Sequence, residues 1–155
     1  NGLKMGAKLV RGAYMEKERE RAAEKGYPSP INETKAITDK MNDDAMVYRW
    51  NTLDYGEVFI GTHNQETIAL AVDFMQKNGI AANDDRIWFS QLYGMCDYLS
   101  FNLGKHNYNV AKYIPYGPIK AVIPYLVRRA DENSSVAAHA VKELKIKNKE
   151  IARRS

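Results

Sequence analysis

The sequence predicts an α/β fold on a short parallel sheet that curves towards a barrel, and three observations carry that prediction. Four short runs rich in β-branched and aromatic residues are each followed by a polar or glycine-rich stretch and then a helical pattern: Lys8-Leu9-Val10, Val58-Phe59-Ile60, Ile87-Trp88-Phe89 and Val110 to Ile114. Strand, loop and helix repeated four times is the βαβ pattern of a parallel sheet. The conspicuous polar residues fall just after the runs, where parallel α/β folds carry their chemistry. Side chains at four successive strand ends converge only over a curved sheet.

The helices follow in order. Met15 to Lys25 is dense in Glu, Arg and Ala and stops at Gly26, and after the rigid Pro28-Ser29-Pro30 loop a second helix spans Thr34 to Trp50. Asn64 is a candidate N-cap for Glu66 to Lys77, where Ile68, Ala71, Val72 and Met75 form one apolar stripe ending at Asn78-Gly79. Met95 to Leu103 follows the third run. Pro118 opens a last patterned helix through Ile119, Val122, Ile123, Leu126, Val127 and Ala130.

At 155 residues the chain is long enough for one core and too short for a complete (β/α)8 barrel, which takes about 250. The net charge of +4 is not spread over it: residues 1–141 carry 17 basic and 17 acidic side chains, so the whole excess lies in residues 142–155. Residues 1–141 therefore read as one domain and 142–155 as a basic helical tail, either solvated or able to touch an anionic membrane surface. The body has no basic stripe, and no nucleic-acid partner is expected. A single cysteine, Cys96, excludes an intrachain disulfide framework and paired-cysteine zinc sites, and fits a reducing compartment. No run approaches the ~18 apolar residues of a membrane span, no signal peptide is visible, and a start at Asn1 suggests a processed or excised piece of something longer.

Several constellations could carry chemistry. In Tyr125-Leu126-Val127-Arg128-Arg129-Ala130-Asp131-Glu132-Asn133, the pairs Arg128/Glu132, Arg129/Asn133 and Tyr125/Arg129 are four apart on a helix. Two guanidiniums there could clamp a carboxylate, or the segment is an exposed helix laced with ion pairs. Lys8 and Arg11 stand at an odd spacing on a strand, so alternation turns only one of them inward, as a ligand cation or a paired core charge. Gly12 permits close backbone approach. Thr62-His63-Asn64 could hydrogen-bond a heterocycle, or could be a helix cap with a bystander histidine. Tyr113, Tyr116 and Tyr125 wall a pocket or fill core. The three histidines lack metal-ligand spacing and no metal site is expected; no GxGxxG or phosphate loop is present.

Taken together, Lys8-Leu-Val-Arg-Gly-Ala-Tyr14, Thr62-His-Asn64, Phe89-Ser-Gln-Leu-Tyr-Gly-Met95, Lys112-Tyr-Ile-Pro-Tyr-Gly-Pro118 and Tyr125 to Asn133 resemble the proline dehydrogenase family, in the family's order, up to about Ser135. The resemblance implies a (β/α)8 TIM-type barrel of which this chain holds only the second half, about strands five to eight. It implies FAD-dependent oxidation of L-proline to pyrroline-5-carboxylate by hydride transfer, with electrons passed to a quinone. Arg128 and Arg129 would bind the proline carboxylate, Glu132 would hold that clamp, and Tyr113, Tyr125 and Leu92 would line the substrate pocket. Lys8, Val10, Arg11, Gly12, Ala13 and Tyr14 would lie along the flavin ring. Thr62, His63 and Asn64 would contact the ring and tail, and Thr34 with Lys35 would lie near the phosphate and adenosine portion.

The family's first four strands have no counterpart here, so the expected partners include the missing N-terminal half of the barrel or a second copy of this chain. The expected location is the cytoplasm, or peripherally the inner membrane, on its matrix side in a eukaryote. Two alternatives stand beside this reading: an inactive, self-associating half barrel, and a related flavin barrel acting on another amino acid.

Overall fold

A computed structural model describes residues 2–12, 14–132 and 136–154, without the side chains of 130–140, 142 and 143. Its four strands are β1 (Met5–Leu9), β2 (Gly56–Gly61), β3 (Ile87–Leu92) and β4 (Val110–Tyr113). They form one parallel sheet in the order β1-β2-β3-β4. The helices are α1 (Met15–Lys25), α2 (Lys35–Trp50), α3 (Gln65–Lys77), α4 (Asp97–Lys105), α5 (Ile119–Glu132) and α6 (Val136–Arg154), and a 3-10 turn at Leu53–Tyr55 leads into β2. Every strand-to-strand connection thus carries helix, as parallel pairing requires.

Local chemistry accounts for the boundaries. Thr34 Oγ1 accepts from the Ile37 N–H and starts α2, while Asn64 Oδ1 accepts from Glu66 and Thr67 N–H and starts α3. Gly26, at φ 71°, ends α1 by returning its N–H to the Ala22 carbonyl. The Pro118 carbonyl accepts from Ala121 and Val122, so α5 begins one residue later. Expected boundaries shift most at β1, β4 and α4. β1 runs over 5–9 rather than 8–10, because Met5, Gly6 and Ala7 pair with Gly56, Glu57 and Val58 despite their weak strand propensity. β4 ends at Tyr113, and α4 starts at Asp97 because Cys96, at φ 51°, interrupts the helical path from Met95. The charge boundary at 141/142 falls inside α6, which is continuous across it.

One face of the sheet carries the core. Met46 and Trp50 of α2, Ile68, Ala71 and Met75 of α3, and Leu99 and Leu103 of α4 meet Val58, Ile60, Ile87 and Phe89. Trp50 stacks on Phe74 at 4.2 Å and Phe89 meets Tyr108 edge-on. Gln91, also on this face, donates to the Thr62 carbonyl and accepts from Ser100 Oγ. The alternate strand positions form the other, open face. There Lys8, Phe59 and Trp88 are in cross-strand register, with Phe59 and Trp88 stacked at 6.3 Å.

That open face is concave. β1 and β4 stand three strands apart, about 14 Å in a flat sheet, yet the Lys8 ammonium lies 5.0 Å from the centroid of the Tyr113 ring. The outer edges of β1 and β4 have no strand partner among the described residues. α5 leaves Ile119, Ile123 and Val127 more than half exposed.

Candidate functional site

The carboxyl ends of the strands hold two groups of the expected site residues. The first lies on the concave face. Lys8 points inward by strand alternation, and its Nζ sits 5.4 Å from the Phe59 centroid and 5.0 Å from that of Tyr113. Tyr113 meets Tyr125 of α5 at 6.2 Å and 68°. One turn on, the Arg129 guanidinium lies 5.4 Å from the Tyr125 ring. Burial pushes the Tyr125 phenol up, Tyr113 and Tyr14 add to the rise, and the Arg129 cation opposes it. Cation, ring, ring and cation thus stand in one row across the mouth of the sheet, drawn from β1, β4 and α5.

Arg128 does not join this row. Adjacent helical residues point about 100° apart, and Arg128 is exposed while Arg129 is half-buried against Tyr125. The side chain of Glu132 lies outside the description, as do Ala13 and Asn133, so the expected Arg128–Glu132 pairing does as well.

The second group gathers around Arg11, beyond the end of β1. Its Nη1 donates to Asp39 Oδ1 at 2.6 Å and its Nη2 to Thr62 Oγ1 at 3.1 Å. Asp39 Oδ2 also accepts from Lys35 Nζ. Arg11 and Lys35 are therefore joined by one carboxylate, Asp39, that sequence reasoning did not select, and Arg11 in turn ties in Thr62. Lys35 and Asp39 are four apart on α2, a detectable spacing; the 28 residues from Arg11 to Asp39 leave no sequence signal. Gly12 adopts φ 80° directly after Arg11, in the left-handed region.

His63 links the end of β2 to β3: its Nε2 accepts the Leu92 N–H at 3.0 Å, which assigns the ring proton to Nδ1. Thr62 is buried, and its hydroxyl also accepts from the Asn64 N–H. Asn64 and Thr34 thus also cap α3 and α2 with their side-chain oxygens. Val10 is exposed and Leu92 half-buried beside the site.

Gly61 is a second residue that the pattern reading passed over. A Cβ there would lie 2.8 Å from Val10 Cγ1 and 3.2 Å from Lys8 Cε, so its absence lets the lysine stem lie across the strand. A glycine inside a strand is the signal that could have found it.

A model of the proline dehydrogenase family matches residues 1–142. The chain belongs to the proline dehydrogenase family. It is 45% identical over 152 residues to the mitochondrial proline dehydrogenase 1 of Homo sapiens, covering 96% of this chain and 25% of that protein. It is 43% identical to the Caenorhabditis elegans mitochondrial proline dehydrogenase 1, over 99% of this chain and 26% of that one. A hydroxyproline dehydrogenase of Xenopus laevis is 38% identical over 99% of this chain and 34% of its own length. Among solved structures, proline utilization A (PutA) from Bdellovibrio bacteriovorus inactivated by N-propargylglycine superposes with a TM-score of 0.74 at 27% identity, covering 80% of this chain and 13% of that one. The α/β fold with its parallel sheet matches that protein. The chain spans about a quarter of the length of the first two proline dehydrogenases.

Proposed function

We propose that this chain supplies strands five to eight of a (β/α)8 barrel in an FAD-dependent proline dehydrogenase that oxidises L-proline to pyrroline-5-carboxylate. The observation that carries the reading is the row Lys8, Tyr113, Tyr125 and Arg129 on the concave face. A flavin ring is flat and rimmed by acceptor oxygens and nitrogens. It fits a surface that offers aromatic faces and cationic donors, which Lys8, Phe59, Trp88 and Tyr113 make up. In this reading Lys8, Val10, Arg11, Gly12, Ala13 and Tyr14 hold the ring; Thr62, His63, Asn64, Thr34 and Lys35 hold its polar edge and tail. When bound, FAD supplies a two-electron acceptor.

The chain's own residues do the rest. Arg129, steadied on Tyr125, binds the proline carboxylate with Arg128, and Glu132 holds the pair; Tyr113, Tyr125 and Leu92 wall the ring so that the carbon next to nitrogen faces the flavin. Proline gives up a hydride and a proton in the step, and a quinone takes the electrons on. Residues 1–141 form the barrel part and 142–155 its basic end, which supports a peripheral place on an anionic membrane. No described helix is long and apolar enough to cross one.

The test is to express the chain together with the N-terminal half of the barrel and to record flavin absorbance and its bleaching by proline. Bound flavin bleached by proline is expected; an assembled barrel with neither overturns the reading. Two observations favour second readings. The edges of β1 and β4, unpartnered among the described residues, and the exposed Ile119, Ile123 and Val127 favour a self-associating, inactive half barrel. A monomer by sedimentation excludes it. The 38% identity to a hydroxyproline dehydrogenase favours a neighbouring amino acid as substrate, and hydroxyproline bleaching the flavin faster than proline would establish it.

A further inference from the structure

The Arg11 guanidinium is gripped from two sides by different elements. Asp39 of α2 holds Nη1 at 2.6 Å, and Thr62, at the end of β2, holds Nη2 at 3.1 Å. Neither anchor is loose: Thr62 is 7% exposed and its hydroxyl is fixed by a second donor, the Asn64 N–H, while α2 is pinned to the core by Met46 and Trp50. A guanidinium carries five N–H donors in one rigid plane. Two are engaged here, so the plane is set and the other three make no hydrogen bond to a described residue. Arg11 is therefore a donor fork held ready beyond the strand ends, with most of its rotational freedom already removed.

We propose that Asp39 is a positioning residue, which sets the plane of Arg11 so that its remaining donors meet an acceptor edge of the bound flavin. This rests on the flavin reading above. Asp39 does not touch the cofactor; it acts by fixing a fork that does, and by offsetting the cation so that Arg11 and Lys35 can stand together at the same mouth.

The test uses the flavin-loaded enzyme and compares flavin Kd, flavin reduction potential and unfolding midpoint. In Asp39→Asn, the neutral amide keeps the shape and loses the charge-assisted bond. The expected result is a rise of roughly tenfold in flavin Kd with a shifted potential. Arg11→Gln should give a similar rise, and the double variant should be no worse than Arg11→Gln alone. Asp39→Glu, which keeps the carboxylate, should restore the affinity and guards against a variant that merely fails to fold. A lowered unfolding midpoint with unchanged Kd and potential overturns the proposal, as do losses that simply add in the double variant. An unsubstituted enzyme that binds no flavin overturns the functional reading and this proposal together, whereas flavin held equally by Asp39→Asn overturns this proposal alone.

Discussion

The Lys8 ammonium lies 5.0 Å from the Tyr113 ring although β1 and β4 are the two outermost strands of the sheet. A flat sheet holds those strands about 14 Å apart, so only a concave surface brings the pair together without both side chains lying along it. The same curvature brings Tyr125 and Arg129 of α5 into line behind Tyr113. A cation over an aromatic face is worth about 0.5–1 kcal/mol where solvent reaches it. The row is thus weakly held by its own contacts, and the backbone that positions it matters more than the contacts within it.

Gly61 is the first place to see that dependence. An alanine there would press on Val10 Cγ1, the Lys8 stem and the Leu9 carbonyl oxygen, so both side chains and the β1 backbone would have to give. Gly61→Ala should lower stability by about 1–3 kcal/mol and weaken flavin retention several-fold. Gly6→Ala is the control: on the same face of β1, its added Cβ meets no atom within 4 Å, and denaturant unfolding with flavin titration should find both quantities unchanged.

The opposite ends of the strands should behave differently. Arg49 is buried there, its Nη2 donating to the Met5 carbonyl at 2.8 Å and the Glu57 carbonyl at 3.3 Å, and its Nη1 to Thr52 Oγ1. It stitches the start of β1 to α2 and β2, passing where a Cβ on Gly56 would lie 2.5 Å from Nη2. Arg49→Met leaves two carbonyls without that donor and should cost about 3 kcal/mol in urea unfolding. In the proposed barrel, where stability features gather at the amino ends of the strands and chemistry at the carboxyl ends, substrate KM in the folded fraction should not move.

Arg49 and Asp39 also show how far the sequence could be read. Runs such as Val58-Phe59-Ile60 and caps such as Asn64 were readable because the local pattern and the final structure agree there. β1 was misplaced by three residues because Met5-Gly6-Ala7 has no strand character of its own and is ordered by pairing to β2. Motif resemblance named the candidate site residues but not their arrangement, since alternation placed Lys8 or Arg11 inward without choosing between them. The structure chooses Lys8 for the concave face and ties Arg11 to Asp39. Asp39 and Arg49 were missed because their partners lie 28 and 44 residues away.

Acid should reach the fold through Asp84. Its carboxylate accepts the Arg86 backbone N–H at 3.0 Å and the guanidinium at 2.9 and 2.6 Å, and the side-chain bonds from Arg86 are the main reason its pKa lies below the ordinary 3.8. A depressed carboxyl contributes stability that is fully present above its unfolded value and is lost as pH falls through the folded one. Unfolding midpoints should therefore fall as pH drops below about 3.8. Asp84→Asn should start lower at neutral pH and flatten that part of the profile; an unchanged slope would remove Asp84 as a cause.

Arg129 should separate substrate binding from cofactor binding. It stands at the α5 end of the row, against Tyr125, whereas Arg11 is held by Thr62 and Asp39. Methionine keeps the apolar stem that covers the ring and removes the donors a carboxylate needs. Truncating one partner of a hydrogen-bonded charge pair costs about 2–5 kcal/mol, so Arg129→Met should raise the KM for proline by about 30-fold or more, with flavin Kd changed less than about threefold. Steady-state kinetics beside a flavin titration reads both. Parallel losses in the two would mean that Arg129 supports the packing of α5 against β4 and does not bind the substrate carboxylate.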